Sequence, residues 1–337
     1  MTKGLPFTGG SKILIAVILS VAIIAVILTK LDLSEIWRSL VNTNLWFILV
    51  AVLALFLNLV SRGYRWSALL APVGRFSPIR ECYPLYSIAF AANIIIPFRA
   101  GDFIRVILFC SRHRQVAKAS VLATIVLEHL VDFLTVVGLI FVVIAIADVP
   151  PEIATITDTI GIMGVIMLIG FWLLVQKPAF ARRMMQFSQF LPGFLANPLN
   201  HIFETTIEIF SGFRSPITAF AISFWSFVQW FSGWMMTAAF VAAVQLDLPW
   251  HVVLLVLAVG TLGAMIPITP GNIGVVHALY VLVLVYFDVD INTAFTFALL
   301  MHGIPLVIIV LNGLVATYLR HLPFKVLATP ENDPGAP

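Results

Sequence analysis

Apolar residues in this chain come in long unbroken runs, unlike the alternation of strands or the one-sided stripes of water-facing helices. No Asp, Glu, Lys or Arg interrupts 41–61, 159–176, 215–246, 248–287 or 291–319. A helix needs about 20 apolar residues to cross the hydrocarbon of a bilayer, so these runs predict membrane segments. Spanning helices are expected over about 12–29, 44–66, 117–147, 154–176, 215–245 and 291–319. Two other apolar regions are each cut by proline and glycine, giving 83–97 with 102–111 and 250–267 with 271–287.

Charge then sets the sides. Arg62, Arg65, Arg75, Arg80, Arg112, Arg114 and Lys118 flank the first split region, Lys177, Arg182, Arg183 and Arg214 lie in a second basic stretch, and Arg320 and Lys325 follow the last run. Asp148, Glu152 and Asp158, then Asp247, then Asp288 and Asp290 occupy loops without Lys or Arg. The positive-inside rule makes the basic loops cytoplasmic and the acidic ones external. Both ends of the first split region then lie inside and both ends of the second lie outside. The expected fold is an all-α integral membrane protein of about six spanning helices plus two oppositely inserted re-entrant helical hairpins, with the character of an inverted repeat. The alternative is that the hairpin arms cross fully.

In domain terms, 1–11 is a cytoplasmic N-terminus, 12–320 the membrane domain and 321–337 a cytoplasmic, partly disordered tail. The loop 177–214 reads either as a plain connector or as carrying an amphipathic interfacial helix, with Arg182 and Arg183 toward lipid phosphates. Composition agrees: 61% of residues are hydrophobic, 10% are charged and mean hydropathy is +1.06. Soluble domains carry about 25% charged residues, so a water-facing surface is excluded. The run 13–28 lacks a small-residue cleavage pattern and reads as a retained helix rather than a signal peptide. Cys82 and Cys110 have no redox or metal spacing and read as packing residues.

The two split regions share a pattern, Ile-Pro-x-x-x-Gly followed by Asp or Asn. It falls at Ile96-Pro97 through Gly101-Asp102 and at Ile266-Pro267 through Gly271-Asn272, with Pro270 added in the second. Proline ends the helix before it. Glycine permits the reversal, and Asp102 or Asn272 is expected to cap the restarting helix. Backbone freed by such breaks must line protein or a wet cavity. Restarting helices also aim N–H groups at it, which suits an anion such as phosphate. Paired breaks in oppositely oriented halves are the usual mark of a transporter binding site.

Charged groups accompany the breaks. Arg99 and Asp102 stand at the first tip with Arg105 one turn on, while Glu128 and Asp132 share a face at i, i+4. A charge at the bilayer centre costs about 2.5–3.5 kcal/mol on insertion scales, so these groups must pair or meet water. Either the arginines pair with Glu128 and Asp132 to lock the hairpin, or the arginines receive phosphate and the carboxylates an amine; the roles are compatible. The candidate substrate-binding set is Asn93, Arg99, Gly101, Asp102, Arg105, Glu128, Asp132, Thr269, Gly271 and Asn272, with Pro97, Pro267 and Pro270 as the structural breaks. Arg62 and Arg65, beside Trp66, read as snorkelling anchors or as groups facing lipid headgroups. His129, His277 and His302 read as packing or polar lining, without a zinc pattern. No P-loop, dinucleotide turn or nucleophile elbow appears, and no cofactor, metal or nucleic acid is implied.

The segments Arg62-Gly-Tyr-Arg65-Trp66, Asn93 through Pro97-Phe-Arg99-Ala-Gly101-Asp102 to Arg105, Glu128-x-x-x-Asp132 and Pro267-Ile-Thr-Pro270-Gly271-Asn-Ile-Gly274 together resemble the flippase-like family. This is the membrane region of lysylphosphatidylglycerol synthase, which also occurs as stand-alone bacterial and archaeal proteins. The likeness covers about 10–320. It implies a lipid translocator in a bacterial or archaeal cytoplasmic membrane, with both termini cytoplasmic and a phospholipid or lipid-linked substrate. The chain ends soon after its last helix, so the aminoacyl-transferase domain of full-length synthases is expected to be missing, which puts lysylphosphatidylglycerol itself in doubt. Asp102 stands where many relatives carry glutamate. The rival readings are an intramembrane enzyme acting on polar or glycosylated lipids, and an accessory subunit of an envelope-biosynthesis enzyme; a homo-oligomer is also compatible.

Overall fold

The computed structural model describes residues 29–96, 99–146, 215–265 and 269–320, with the single positions 25, 162 and 166. The expected helices over 12–29 and 154–176, the loop 177–214, both termini and the breaks at Pro97 and Pro267 lie outside the described residues. Within them the chain is helical and contains no strand. In chain order the helices are α1 (Leu33–Val41), α2 (Leu45–Leu69), α3 (Tyr83–Ile95), α4 (Ala100–Arg112), α5 (Lys118–Ile146), α6 (Pro216–Ala243), α7 (Trp250–Met265), α8 (Val275–Tyr286) and α9 (Ile291–Leu319). A π-helical turn, Pro78–Cys82, leads into α3, and a 3₁₀ turn, Pro270–Asn272, precedes α8.

Helices α2, α5 and α9 are long and apolar enough to cross a membrane, with mean hydropathies of 2.2, 2.2 and 2.3. Exposed Leu49, Leu53, Phe56, Val126, Val307, Leu311 and Val315 on these helices face outward as a lipid-contacting surface would require. Helix α6 has 28 residues, about 42 Å of helix at 1.5 Å per residue. Its tryptophans, Gln229 and hydroxyl residues dilute its apolarity. Its antiparallel neighbour is α2, whose Asn44 N–H donates to the Ala243 carbonyl at 2.9 Å.

The two split regions form helical hairpins, α3–α4 and α7–α8, and α9 shows how they enter. The base of α3 lies at the C-terminal half of α9, where the Tyr83 hydroxyl donates to Asn312 Oδ1 at 3.0 Å and Asn312 Nδ2 donates to Ser87 Oγ at 2.9 Å. Gly313 lets this contact form, because a Cβ there would meet Ala91 and the Ser87 carbonyl oxygen. The second hairpin packs on the N-terminal half: the His277 and His302 rings lie 4.8 Å apart, and Tyr280 and Phe297 lie 5.6 Å apart. Helix α8 then ends beside the start of α9. The hairpins therefore enter from opposite ends of α9, and their tips meet near its middle. A Cβ on Gly271 would lie 3.6 Å from the Ile94 carbonyl oxygen and 3.5 Å from Leu306.

Short α1 has no counterpart among the long apolar runs. Its Asp32 N-cap accepts from the Ser34 N–H, and it docks on the start of α9. There Asn292 Oδ1 accepts from the Asp32 N–H at 2.8 Å, and Asn292 Nδ2 donates to Glu35. Its Leu33, Trp37 and Val41 are exposed while Ile36 is buried. This is the form of a helix lying in the membrane interface.

Candidate functional site: an ion-paired cavity where two broken helices meet

Each hairpin tip is built from local backbone chemistry. Arg99 is the N-cap of α4 and holds a left-handed φ of 53° without a side-chain cap. The expected cap, Asp102, lies inside the first turn and turns its carboxylate sideways. Its Oδ1 accepts from Asn93 Nδ2 at 3.2 Å and its Oδ2 lies 2.9 Å from His129 Nε2. At the second tip Gly271 has φ 59° and Asn272 φ 55°. Asn272 does not cap α8, whose N-cap is Gly274. It donates back to the Ala264 carbonyl at 3.1 Å, closing the end of α7. Buried Thr269 also serves the turn, donating to the Ile273 carbonyl at 3.0 Å. Neither polar side chain caps the helix that restarts beside it: Asp102 meets Asn93 and His129, and Asn272 meets the end of α7.

Between the tips lies a cavity of about 250 Å³. Five of the sequence-selected residues line it: Asn93, Arg99, Asp102, Arg105 and Asp132. Arg62 joins them. Glu128 stands just behind, almost fully buried, and Gly101, Thr269, Gly271 and Asn272 shape the tips without lining the space. Gly101 is required by close approach, since a Cβ would run into the Ala89 carbonyl oxygen across the hairpin. Apolar residues from the other side, including Leu257, Met265, Met301 and Ile309, complete the wall. Pro305 also lines it; lacking an N–H, it leaves the Met301 carbonyl without its helical partner on the cavity side.

The charged groups form one connected network. Arg65 makes a two-pronged pair with Asp132, with Nη2 at 2.9 Å from Oδ2, and the same nitrogen reaches Glu128 Oε1 at 3.3 Å. Arg105 Nη2 donates to Glu128 Oε2 at 3.0 Å, and its guanidinium is held between the rings of Trp66 and Tyr86 at 4.7 and 4.8 Å. Arg62 donates to Asn58 Oδ1 and to the Tyr86 hydroxyl, both at 2.9 Å, and stands 4.0 Å from Asp132. Arg99 approaches Asp102 at 3.6 Å and keeps about a third of its side chain exposed. Among the described residues four guanidiniums thus face three carboxylates, leaving one positive charge uncompensated.

This geometry corrects one reading and completes others. Arg65 and Trp66 are fully buried and turned inward, so neither is a surface anchor. Glu128 and Asp132, at i, i+4 on α5, share the inward guanidinium of Arg65 on α2. Arg62 does not sit at the surface either; it lines the cavity. The Arg105–Glu128 pair matches the locking role, whereas Arg99 pairs with neither Glu128 nor Asp132 and projects into the space. His129 proves to be polar lining held by Asp102. Asn58, Tyr86 and Gln229 were not singled out from sequence. An amide in the middle of an uncharged membrane run, as Asn58 and Gln229 are, is the signal that finds those two.

Paired broken helices enclosing a charged, partly apolar chamber define a polytopic helical membrane protein with an internal cavity. Residues 13–313 match the family described as the lysylphosphatidylglycerol synthase TM region. The chain belongs to that family, which ties it to membrane proteins that handle lipids. No curated protein matches it.

Proposed function

We propose that this protein moves a phospholipid, or a lipid-linked molecule with an anionic headgroup, between the leaflets of a cytoplasmic membrane, with both termini on the cytoplasmic side. The observation that carries this reading is the meeting of both hairpin tips at a cavity with one more guanidinium than carboxylate around it, Arg99 being the most exposed, and apolar walls. A headgroup phosphate docks between Arg99 and Arg62, which retain solvent-facing donors. Arg65 and Arg105, already committed to carboxylates, keep the chamber's shape. A low-dielectric wall strengthens the attraction, and an ordinary hydrocarbon tail stays outside in lipid. On this reading the protein is a transporter and not an enzyme.

The test is leaflet exchange in liposomes containing the purified protein, with headgroup-labelled anionic phospholipid and an external quencher. Arg99→Ala is expected to slow exchange at least tenfold while the protein keeps its thermal stability. Exchange at the wild-type rate removes Arg99 from the path, and no exchange by the wild-type protein with any anionic lipid overturns the reading.

A further inference from the structure

One face of α6 carries three buried polar atoms without a partner: Ser226 Oγ, Gln229 Oε1 and Trp230 Nε1. Their i, i+3, i+4 spacing stacks them on a single stripe. Inside a membrane such atoms are satisfied by another protein group, by water or by a ligand. These three stand at a particular place. Trp230 lines the central cavity and also a second space of about 410 Å³, an outer groove among α5, α6 and α7. The groove is walled by Leu139, Phe227, Phe231, Trp234 and Leu254. Phe227 is 66% exposed and Phe231 45% exposed, so the groove faces outward. On the inner side Gln229 donates to Asp132 Oδ1 at 3.2 Å, and Gly233 adds no side chain to the wall. The Trp230 ring borders both spaces, and like Leu139 of α5 and Leu262 of α7 it packs against Val136, Ile140 and Ala258.

We infer that this wall is a lateral portal in which a phospholipid sits astride α6, its acyl chain in the outer groove and its headgroup in the charged cavity. The order of chemistry across the wall matches the order along such a lipid. Guanidiniums meet the phosphate, the Trp230 N–H and the Ser226 hydroxyl donate to glycerol-ester carbonyls, and the aromatic and aliphatic groove receives hydrocarbon. Trp230 borders both the charged and the apolar zone and Ser226 lines the groove one turn away, the level at which the ester groups fall. Movement of the Trp230 ring, which borders both spaces, opens the way between them. The inference rests on the lipid reading above and specifies the route by which such a lipid reaches the site.

The experiment uses the full chain in liposomes doped with phosphatidylglycerol carrying a diazirine on its acyl chain, with crosslinked residues mapped by mass spectrometry. Labelling at Phe227, Phe231 and Leu254 is expected to exceed that at Leu311 and Val315, which face outward on α9, at least tenfold. Leu139→Trp, which fills the groove at a distance from every charge, is expected to remove that enrichment while the melting temperature is retained. Trp230→Phe removes the indole donor, keeps a ring, and is expected to reduce the enrichment severalfold. Equal labelling of groove and α9, or enrichment untouched by Leu139→Trp, overturns the portal. Enrichment with no leaflet exchange leaves the portal standing as a lipid site and overturns only the transport reading.

Discussion

Arg65 and Arg99 show how the same residue type serves two ends. Arg65 is buried against two carboxylates, so removing it deprives Asp132 of its close ion pair in a low-dielectric interior and leaves Glu128 with Arg105 alone. Breaking a buried pair in this way costs about 3–5 kcal/mol. Arg65→Ala is therefore expected to lower the detergent-solubilised melting temperature sharply. Arg65→Lys restores little, because a point charge cannot reproduce the two-pronged contact with Asp132. Thermal unfolding of both variants beside Arg99→Ala checks this: a Lys variant as stable as the wild type contradicts the geometric role given to Arg65. Arg99, partly exposed and in one loose pair, should behave oppositely, with transport lost and stability kept.

At the level of elements, the hairpins depend on backbone approach more than on side-chain attraction. Gly101→Ala forces a methyl into the Ala89 carbonyl oxygen, an overpacking expected to cost about 1–3 kcal/mol. Gly271→Ala has room for its methyl but must hold φ 59°, a left-handed conformation costing about 1–2 kcal/mol for a residue with a Cβ. Both should lower the melting temperature, Gly101→Ala by the larger amount. The order matters, because equal losses would mean that helix contact and turn conformation constrain the tips alike. Asn272 and Thr269 belong to this scale as well, closing α7 and its turn rather than touching ligand.

For the molecule as a whole, the entry of the two hairpins from opposite ends of α9 has a direct consequence for sidedness. Exposed Arg80, at the base of the first hairpin, and exposed Asp247, before the second, should lie on opposite faces of the membrane. Cys82 and Cys110 are both buried, so the native chain provides a quiet background for membrane-impermeant thiol reagents. In sealed vesicles of known orientation, Arg80→Cys is expected to react only from the cytoplasmic face and Asp247→Cys only from the other. Reaction of both from one face contradicts the inverted arrangement.

The amino-acid order by itself determined the long described helices, the division of two apolar regions into paired arms and the ionisable groups gathered near the first of them. These follow from local rules: run length against bilayer thickness, the missing N–H of proline, and the cost of isolated charge in hydrocarbon. The described ends of α2, α5, α6 and α9 fall within about three residues of the expected ones for that reason. Tertiary structure alone decided which partner each charge takes. Arg65 turned inward because two carboxylates on a different helix needed one shared guanidinium. Asp102 left the helix cap for Asn93 and His129, and Asn272 capped the helix before it. Whether a residue lines the cavity or lies behind it depends on how helices distant in sequence pack. Local pattern carries no information about that choice, since burial of a charge is settled by the nearest opposite charge in space.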